Sequence, residues 1–305
     1  MKKKIMALLI LFMMTLFLVS CDADEPEVTT DEQAETTEEA AEGTPMANPD
    51  SLINVDQLTE LMEQDNVVVV DMSERANNVI PGAIWIDRSS LYHEVDGGNM
   101  TIQSAEVVAE ILGEHGISND TTVITYCEDG NLWAARFLWV LRSYGHEDVR
   151  LLNGGTDAWI ASGGSTGRAE DPGPAVTYEP NMDNFDDKRA DLDVIIYATD
   201  NPEFALLDLR TQDEWDGGRI PGAMQFTYPD DILNADGTFK TVEEYEAMFA
   251  NVPEDARIIV YCLGGVRSSS LYYIFTDFLG WPQTVQNYDG SWWNYEASGE
   301  PIETY

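Results

Sequence analysis

Cysteine is scarce in this chain of 305 residues: Cys21, Cys127 and Cys262 are all there is, too few for a disulfide framework. Histidine is equally rare. His93, His115 and His146 are scattered and no Cys-x-x-Cys pair occurs, so the spacing favours no metal site and no cofactor is called for. Positive charge is the third shortage, with 16 Lys and Arg against 56 Asp and Glu and a formal net charge of −40. A coat of that sign repels nucleic acid and other polyanions. It reads instead as a solvating shell suited to high salt or alkaline surroundings, where self-repulsion is screened or tolerated. The apolar run at 5–19 is short for a membrane span of about 20 residues. What the chain has in quantity is apolar material, 44% hydrophobic and 10% aromatic, enough for two cores in a length that accommodates two domains.

The first 20 residues combine Lys2, Lys3 and Lys4 with that apolar run, the pattern of a secretory signal. It ends in Leu18-Val19-Ser20-Cys21, which resembles a bacterial lipobox. The resemblance implies lipidation of Cys21 as the new N-terminus, a membrane partner reached through that anchor, and a location on the extracytoplasmic face of the cell membrane. Multiple acyl chains give stable anchoring where one holds marginally. Residues 21–50 are rich in Glu, Thr and Ala and are expected to be a disordered, self-repelling tether.

From residue 51 the pattern is globular. VDQLTELMEQ has helical spacing, NVVVVD reads as a buried strand, SAEVVAEILGEHG as a helix capped by Ser104, TTVITYC as a strand and AARFLWVLRSYG as a helix. The alternation argues for an α/β fold with a parallel sheet covered by helices on both faces. The order then recurs. NVVVVD, IPGA and TTVITYC correspond to FALLDL, IPGA and RIIVYC. Cys127 and Cys262 are 135 positions apart, and each is followed 28 positions later by a glycine, Gly155 or Gly290. The Gly- and Pro-rich stretch around 162–180 separates the copies. The expected domains are 51–165 and 183–305, with a linker at 166–182.

The chemistry concentrates at 258–270, IIVYCLGGVRSSS, an apolar strand ending in Cys262, two glycines, Arg267 and serines placed where a helix begins. A sulfur at a strand-to-helix junction faces the N–H groups of a tight loop, and these favour a thiolate. Gly264 and Gly265 let the loop curl, Val266 continues it, and Arg267 adds a planar cationic fork suited to an anionic substrate.

This six-residue loop, Cys262 to Arg267, resembles the active-site loop of the rhodanese (sulfurtransferase) family, and further stretches are similar to that family's motifs. WDGGRIPGA (215–223) is similar to the aromatic-x3-His-Ile-Pro-Gly-Ala signature, with Arg219 where His is usual. VQNYDGSWWNY (285–295) is similar to the C-terminal signature, with Asn294 where an acidic residue is common. Asp208 and Arg210 match Asp-x-Arg. The chain as a whole looks like a tandem thiosulfate or 3-mercaptopyruvate sulfurtransferase. The resemblance implies two rhodanese-like domains with Cys262 catalytic and Arg267, Arg210, Gly264, Gly265 and Val266 at the substrate. A small anionic sulfur donor, and cyanide or a thiol as acceptor, would be its partners. It also implies a first domain without catalytic function. Cys127 is followed by EDGNLWAARF, which places Glu128, Asp129, Leu132 and Trp133 where the second copy has Leu263, Gly264, Val266 and Arg267. Acidic neighbours disfavour a thiolate, leaving Cys127 structural or a secondary relay partner. The phosphatase or arsenate reductase branch of the same fold has Cys-x5-Arg, one residue longer than the Cys-x4-Arg here. A non-enzymatic sulfur-binding or relay lipoprotein is the remaining alternative. For Arg210 and Arg267, structural ion pairing with Asp208 or Glu214 competes with substrate binding.

Overall fold

The computed structural model describes residues 43–95 and 99–304. The signal, Cys21 and most of the tether lie outside the described residues. The first half runs β1 (Leu52–Ile53), α1 (Val55–Leu61), β2 (Val67–Asp71), β3 (Ile84–Trp85), β4 (Tyr92–Val95), β5 (Asn99–Ile102), α2 (Ala105–Glu114), β6 (Thr122–Tyr126), α3 (Leu132–Ser143), β7 (Val149–Leu152) and α4 (Gly155–Ala161). The second half runs α5 (Phe185–Lys188), β8 (Arg189–Ala190), α6 (Leu192–Thr199), β9 (Phe204–Asp208), α7 (Gln212–Asp216), β10 (Met224–Gln225), α8 (Val242–Met248), β11 (Arg257–Tyr261), α9 (Ser268–Tyr273), β12 (Val285–Tyr288) and α10 (Ser291–Ser298). A π-helical turn over Ile274–Phe278 continues α9.

Each half contains a five-stranded parallel sheet flanked by helices. The orders are β1-β7-β6-β2-β3 and, read the same way, β8-β12-β11-β9-β10. The duplication seen in the sequence is thus a duplication of topology. The central strands have no polar face because both faces are covered: all five residues of β6 are buried, and in β11 only Arg257 is exposed. β-Branched residues dominate both, as a pleated, crowded setting favours. A cysteine follows the carboxyl end of each central strand, the edge of an open α/β sheet at which ligands bind. The tyrosine preceding each cysteine ties that edge to the IPGA turn. Tyr126 Oη accepts from Ile80 N–H at 2.8 Å and Tyr261 Oη from Ile220 N–H at 3.4 Å.

Local signals mostly hold. Ser104 caps α2 by accepting from Val107 N–H, and the helix ends before Gly116 at φ +74°. Two stretches make contacts that their composition does not announce. The tether was expected to run to residue 50, but its last residues dock on the second half: Ala47 N–H donates to Phe278 O at 3.0 Å, and Asn48 donates its N–H to Asp277 O at 2.8 Å and its amide to Asp277 Oδ1 at 3.0 Å. Pro49 then starts a 3-10 turn. The stretch 166–182 is a strap laid along the first half. Gly167 and Val79 exchange both backbone hydrogen bonds, Glu170 N–H reaches Ala83 O, Val176 N–H reaches Gly113 O, and Tyr178 is buried.

The halves share one contiguous hydrophobic core, which includes Phe137 and Trp139 on α3 and Leu271, Tyr273 and Phe275 on α9 and its continuation. Buried charges cross the same contact. Arg142 on α3 meets Asp277 in a two-pronged pair at 2.5 and 2.8 Å.

Candidate active site at Cys262

Cys262 leaves β11 and is 1% exposed. Its backbone is held from the far side by the start of α10. Cys262 N–H donates to Ser291 Oγ at 3.1 Å, Trp292 N–H donates to Cys262 O at 3.0 Å, and Trp293 N–H donates to Leu263 O at 3.1 Å. The loop from Cys262 to Arg267 has two positions where only glycine fits. At Gly264 a Cβ would lie 2.7 Å from the Trp293 ring and 3.2 Å from Met100 Cε of the first half; Gly265 has φ +77°, and a Cβ there would lie 2.6 Å from Asp289 O. Val266 is buried at 8% exposure, and its carbonyl accepts from Ser269 N–H at 3.1 Å.

Burial opposes ionisation of the Cys262 thiol, yet its pKa is lowered. The Arg267 charge, the Ser268 N–H and hydroxyl, and the Gly264 N–H outweigh the burial. Ser268 Oγ lies 3.6 Å from Sγ and 2.7 Å from Asn287 Oδ1. Arg267 is itself fixed by Glu214, with Nη1 and Nη2 donating to Oε2 and Oε1 at 2.8 and 2.9 Å. Burial raises the Glu214 pKa, but Arg267 and Thr211 pull it down to about 2, so this carboxylate is charged at every working pH. Glu214 thus aims a cation at a sulfur. It does not merely satisfy one.

The serines differ from their expected role. Ser268, Ser269 and Ser270 do not cap α9, whose N-cap is Arg267 with no side-chain cap bond; they are buried inside its first turn. Ser268 serves the sulfur, and Ser269 Oγ donates to Gly265 O at 3.1 Å. Of the two roles the sequence left open for Arg210, its contacts show the ion pair. It is 1% exposed, grips Asp208 at 2.7–3.1 Å, donates to Glu214 O and Gly218 O, and lies 4.1 Å from the Trp292 ring centre. Those contacts make Arg210 a brace between β9, α7 and α10 rather than a free donor for substrate. Arg219, in the family's His position, pairs with Glu303 at 3.0 Å and stacks on Trp215.

The loop after Cys127 is built to the opposite end. Burial pushes that thiol up to about 12, Asp71 and Asp129 add to the effect, and the N–H groups of Ala134 and Trp133 only partly oppose it. The 135-residue offset puts Leu132 opposite Arg267 and Trp133 opposite Ser268, one place later than the comparison with Val266 and Arg267 suggested. Both groups that favour the thiolate are therefore replaced by apolar ones. Asn131, fully buried with φ +64°, accepts the Cys127 N–H at 3.1 Å. A cleft of about 1140 Å³ borders this loop, lined by Asp129, Asp157, Asp230 and Asp236 with Lys240, a setting that repels anions; Cys262 does not line it. Among the described residues no group of three His, Cys, Asp or Glu side chains could hold a metal ion.

Comparison with known proteins gives the same picture. Rhodanese-like domains match residues 54–162 and 189–298. A thiosulfate sulfurtransferase of Corynebacterium glutamicum is 30% identical over 281 residues, covering 85% of this chain and 92% of that protein. The sulfur carrier protein TtuD of Thermus thermophilus is 33% identical over 281 residues, covering 84% of this chain and 97% of that protein. Among solved structures, the anaerobic ergothioneine biosynthesis enzyme of Chlorobium limicola superposes with a TM-score of 0.77 at 24% identity, over 85% of this chain and 71% of that one. YnjE superposes with 0.72 at 24% identity, over 85% and 69%, and these two likenesses concern the fold alone. With both sheets, both loops and nearly the full length of two relatives accounted for, the chain belongs to the rhodanese-like family and carries two rhodanese-like domains in tandem.

Proposed function

We propose that this protein is a sulfurtransferase working by double displacement at Cys262. The observation that carries the reading is the contrast between the two cysteines: the thiol pKa is lowered at Cys262 and raised at Cys127 on equivalent strands. The Cys262 thiolate attacks the outer sulfur of thiosulfate. The sulfur–sulfur bond of the donor breaks, sulfite leaves with the electron pair, and Cys262 becomes a persulfide. Loop N–H groups, Ser268 and Arg267 hold the anionic terminal sulfur as they held the thiolate. Cyanide or a thiolate then attacks that terminal sulfur, takes it as thiocyanate or a persulfide, and returns the Cys262 thiolate. With 3-mercaptopyruvate the carbon–sulfur bond breaks instead, and the carbon takes a proton to give pyruvate. Arg267 is the cation best placed to meet the donor's charge.

The name of the Thermus thermophilus relative favours a second reading, in which the same persulfide is carried to a partner protein and not released to small acceptors. Thiocyanate formation from cyanide, with thiosulfate and 3-mercaptopyruvate in parallel, separates the two. Turnover supports the enzyme, whereas a stable persulfide without turnover supports the carrier. The signal-like leader and Leu18-Val19-Ser20-Cys21 support placing the protein on the extracytoplasmic face of the membrane, anchored through lipid on Cys21. Incorporation of labelled fatty acid in the natural host, abolished by Cys21→Ala, tests that placement.

A further inference from the structure

The Cys262 loop is not held by its own domain alone. Arg136, on α3 of the first half, is 4% exposed and crosses to the second half, where Nη1 donates to Gly265 O at 3.1 Å and Nη2 to Asp289 Oδ1 at 2.5 Å. Its guanidinium is supported from behind by the Trp139 ring, 4.3 Å away. Asp289 is fully buried, and its other oxygen accepts from Ile102 N–H of the first half at 2.9 Å and from Arg189 Nε at 3.2 Å. Two residues further on, Ser291 accepts the Cys262 N–H. One guanidinium therefore ties together the loop in front of the sulfur and the segment behind it.

The target atom matters. Gly265 O accepts from Arg136, from Asn287 Nδ2 at 2.9 Å and from Ser269 Oγ at 3.1 Å, so three donors converge on one carbonyl in the middle of the nucleophile loop. A trans peptide unit is planar, with its carbonyl and the following N–H pointing in opposite directions. Fixing the Gly265 carbonyl fixes the Val266 N–H in the opposite sense, and Gly265 itself sits in the left-handed region at φ +77°. Asn287 and Ser269 belong to the same domain as the loop. Arg136 does not, and it is the charged member of the three.

We propose that Arg136 is a positioning residue for Cys262: the first domain contributes to the reaction by clamping the Gly265 peptide and, with it, the turn that the loop makes around the reactive sulfur. The inference rests on the sulfurtransferase reading only for its turnover measurement. The reactivity of the Cys262 thiol can be followed whether or not a donor is known.

The test uses the protein lacking residues 1–21 and carrying Cys127→Ser, so that Cys262 is the one thiol present, and compares Arg136→Leu and Arg136→Lys with that parent. Lysine keeps the positive charge beside Asp289 but lacks the planar fork that reaches both acceptors at once. Three readouts are taken: the pH dependence of carbamidomethylation by iodoacetamide, kcat and KM with thiosulfate and cyanide, and the melting temperature. In both variants the alkylation profile moves to higher pH and kcat falls by about tenfold or more, the scale of one lost hydrogen bond from a charged donor, while KM for thiosulfate changes less. A merely structural Arg136 would lower the melting temperature and leave alkylation of the folded protein at the parent's pH profile, which overturns the proposal. A parental profile in Arg136→Lys alone overturns it too, because charge and not placement would then suffice. If Arg136→Leu does not fold, Arg136→Lys decides. If the parent turns over neither thiosulfate nor 3-mercaptopyruvate, the function assigned above fails, and the alkylation profiles still decide the role of Arg136.

Discussion

Replacing Arg267 with Met keeps a long side chain and removes the charge that favours the Cys262 thiolate. Burial at 1% exposure works against the charged sulfur throughout, so the variant leaves Ser268 and the loop N–H groups to oppose it alone. Losing a charge-assisted hydrogen bond costs about 1.5–3 kcal/mol, which is about a ten- to hundredfold fall in kcat/KM near neutral pH. The pH dependence carries the sharper test. Arg267 lowers the thiol pKa, so its removal raises it. The wild-type protein reaches its full thiolate population at lower pH than the variant, and the deficit in alkylation rate is widest on the acid side and narrows as pH rises. Iodoacetamide kinetics across that range, with thiocyanate formation in parallel, read both effects. If Arg267 served only to bind the donor, KM would rise while the alkylation profile stayed in place, and that outcome refutes the argument. Arg267→Lys should fall between the two, since an ammonium retains charge but cannot keep the two-pronged pairing with Glu214.

Breaking the Arg142–Asp277 pair between the halves by Arg142→Met should lower the unfolding free energy by about 3–5 kcal/mol, as stranded buried charges do, with most of the loss recovered in Arg142→Met with Asp277→Leu; urea denaturation measures both. Gly264→Ala should reduce kcat, because the new methyl meets the Trp293 ring at 2.7 Å and pushes the loop off the sulfur, and steady-state kinetics alongside a melting curve separate that from unfolding. With 56 acidic residues against 16 basic ones, the melting temperature should rise as salt is increased toward molar levels; a flat or falling curve would contradict the reading of the acidic coat.

The repeat made the fold legible, because two strand–cysteine–helix units at one spacing imply one topology used twice, and the alternation of β-branched strands with helices pointed to a buried parallel sheet. Cys262, its glycines and Arg267 were legible for a related reason: they lie within one contiguous loop. What escaped was whatever depends on contacts between distant segments. For Arg210 the sequence left substrate binding and an ion pair with Asp208 both open, and only the third dimension shows Glu214 O and Gly218 O closing around it together with that carboxylate. Ser268 passed for a helix cap because a serine before an apolar run usually is one. Glu214 was visible only as an ion-pair partner, and Ser291, Asn287 and Arg136 reach the loop from 23 or more positions beyond Gly264 or from the other domain, where no local pattern could mark them. The docking of Ala47 and Asn48 was hidden by composition. A tether rich in Glu and Thr gives no sign of where its backbone begins to find partners.

Intact and peptide mass spectrometry of the leaderless protein after exposure to thiosulfate tests the central claim most directly. The account predicts one added sulfur atom on the peptide carrying Cys262, present in wild type and Cys127→Ser, absent in Cys262→Ser and discharged by cyanide. Added sulfur on Cys127, or none on Cys262 with either thiosulfate or 3-mercaptopyruvate, would contradict it.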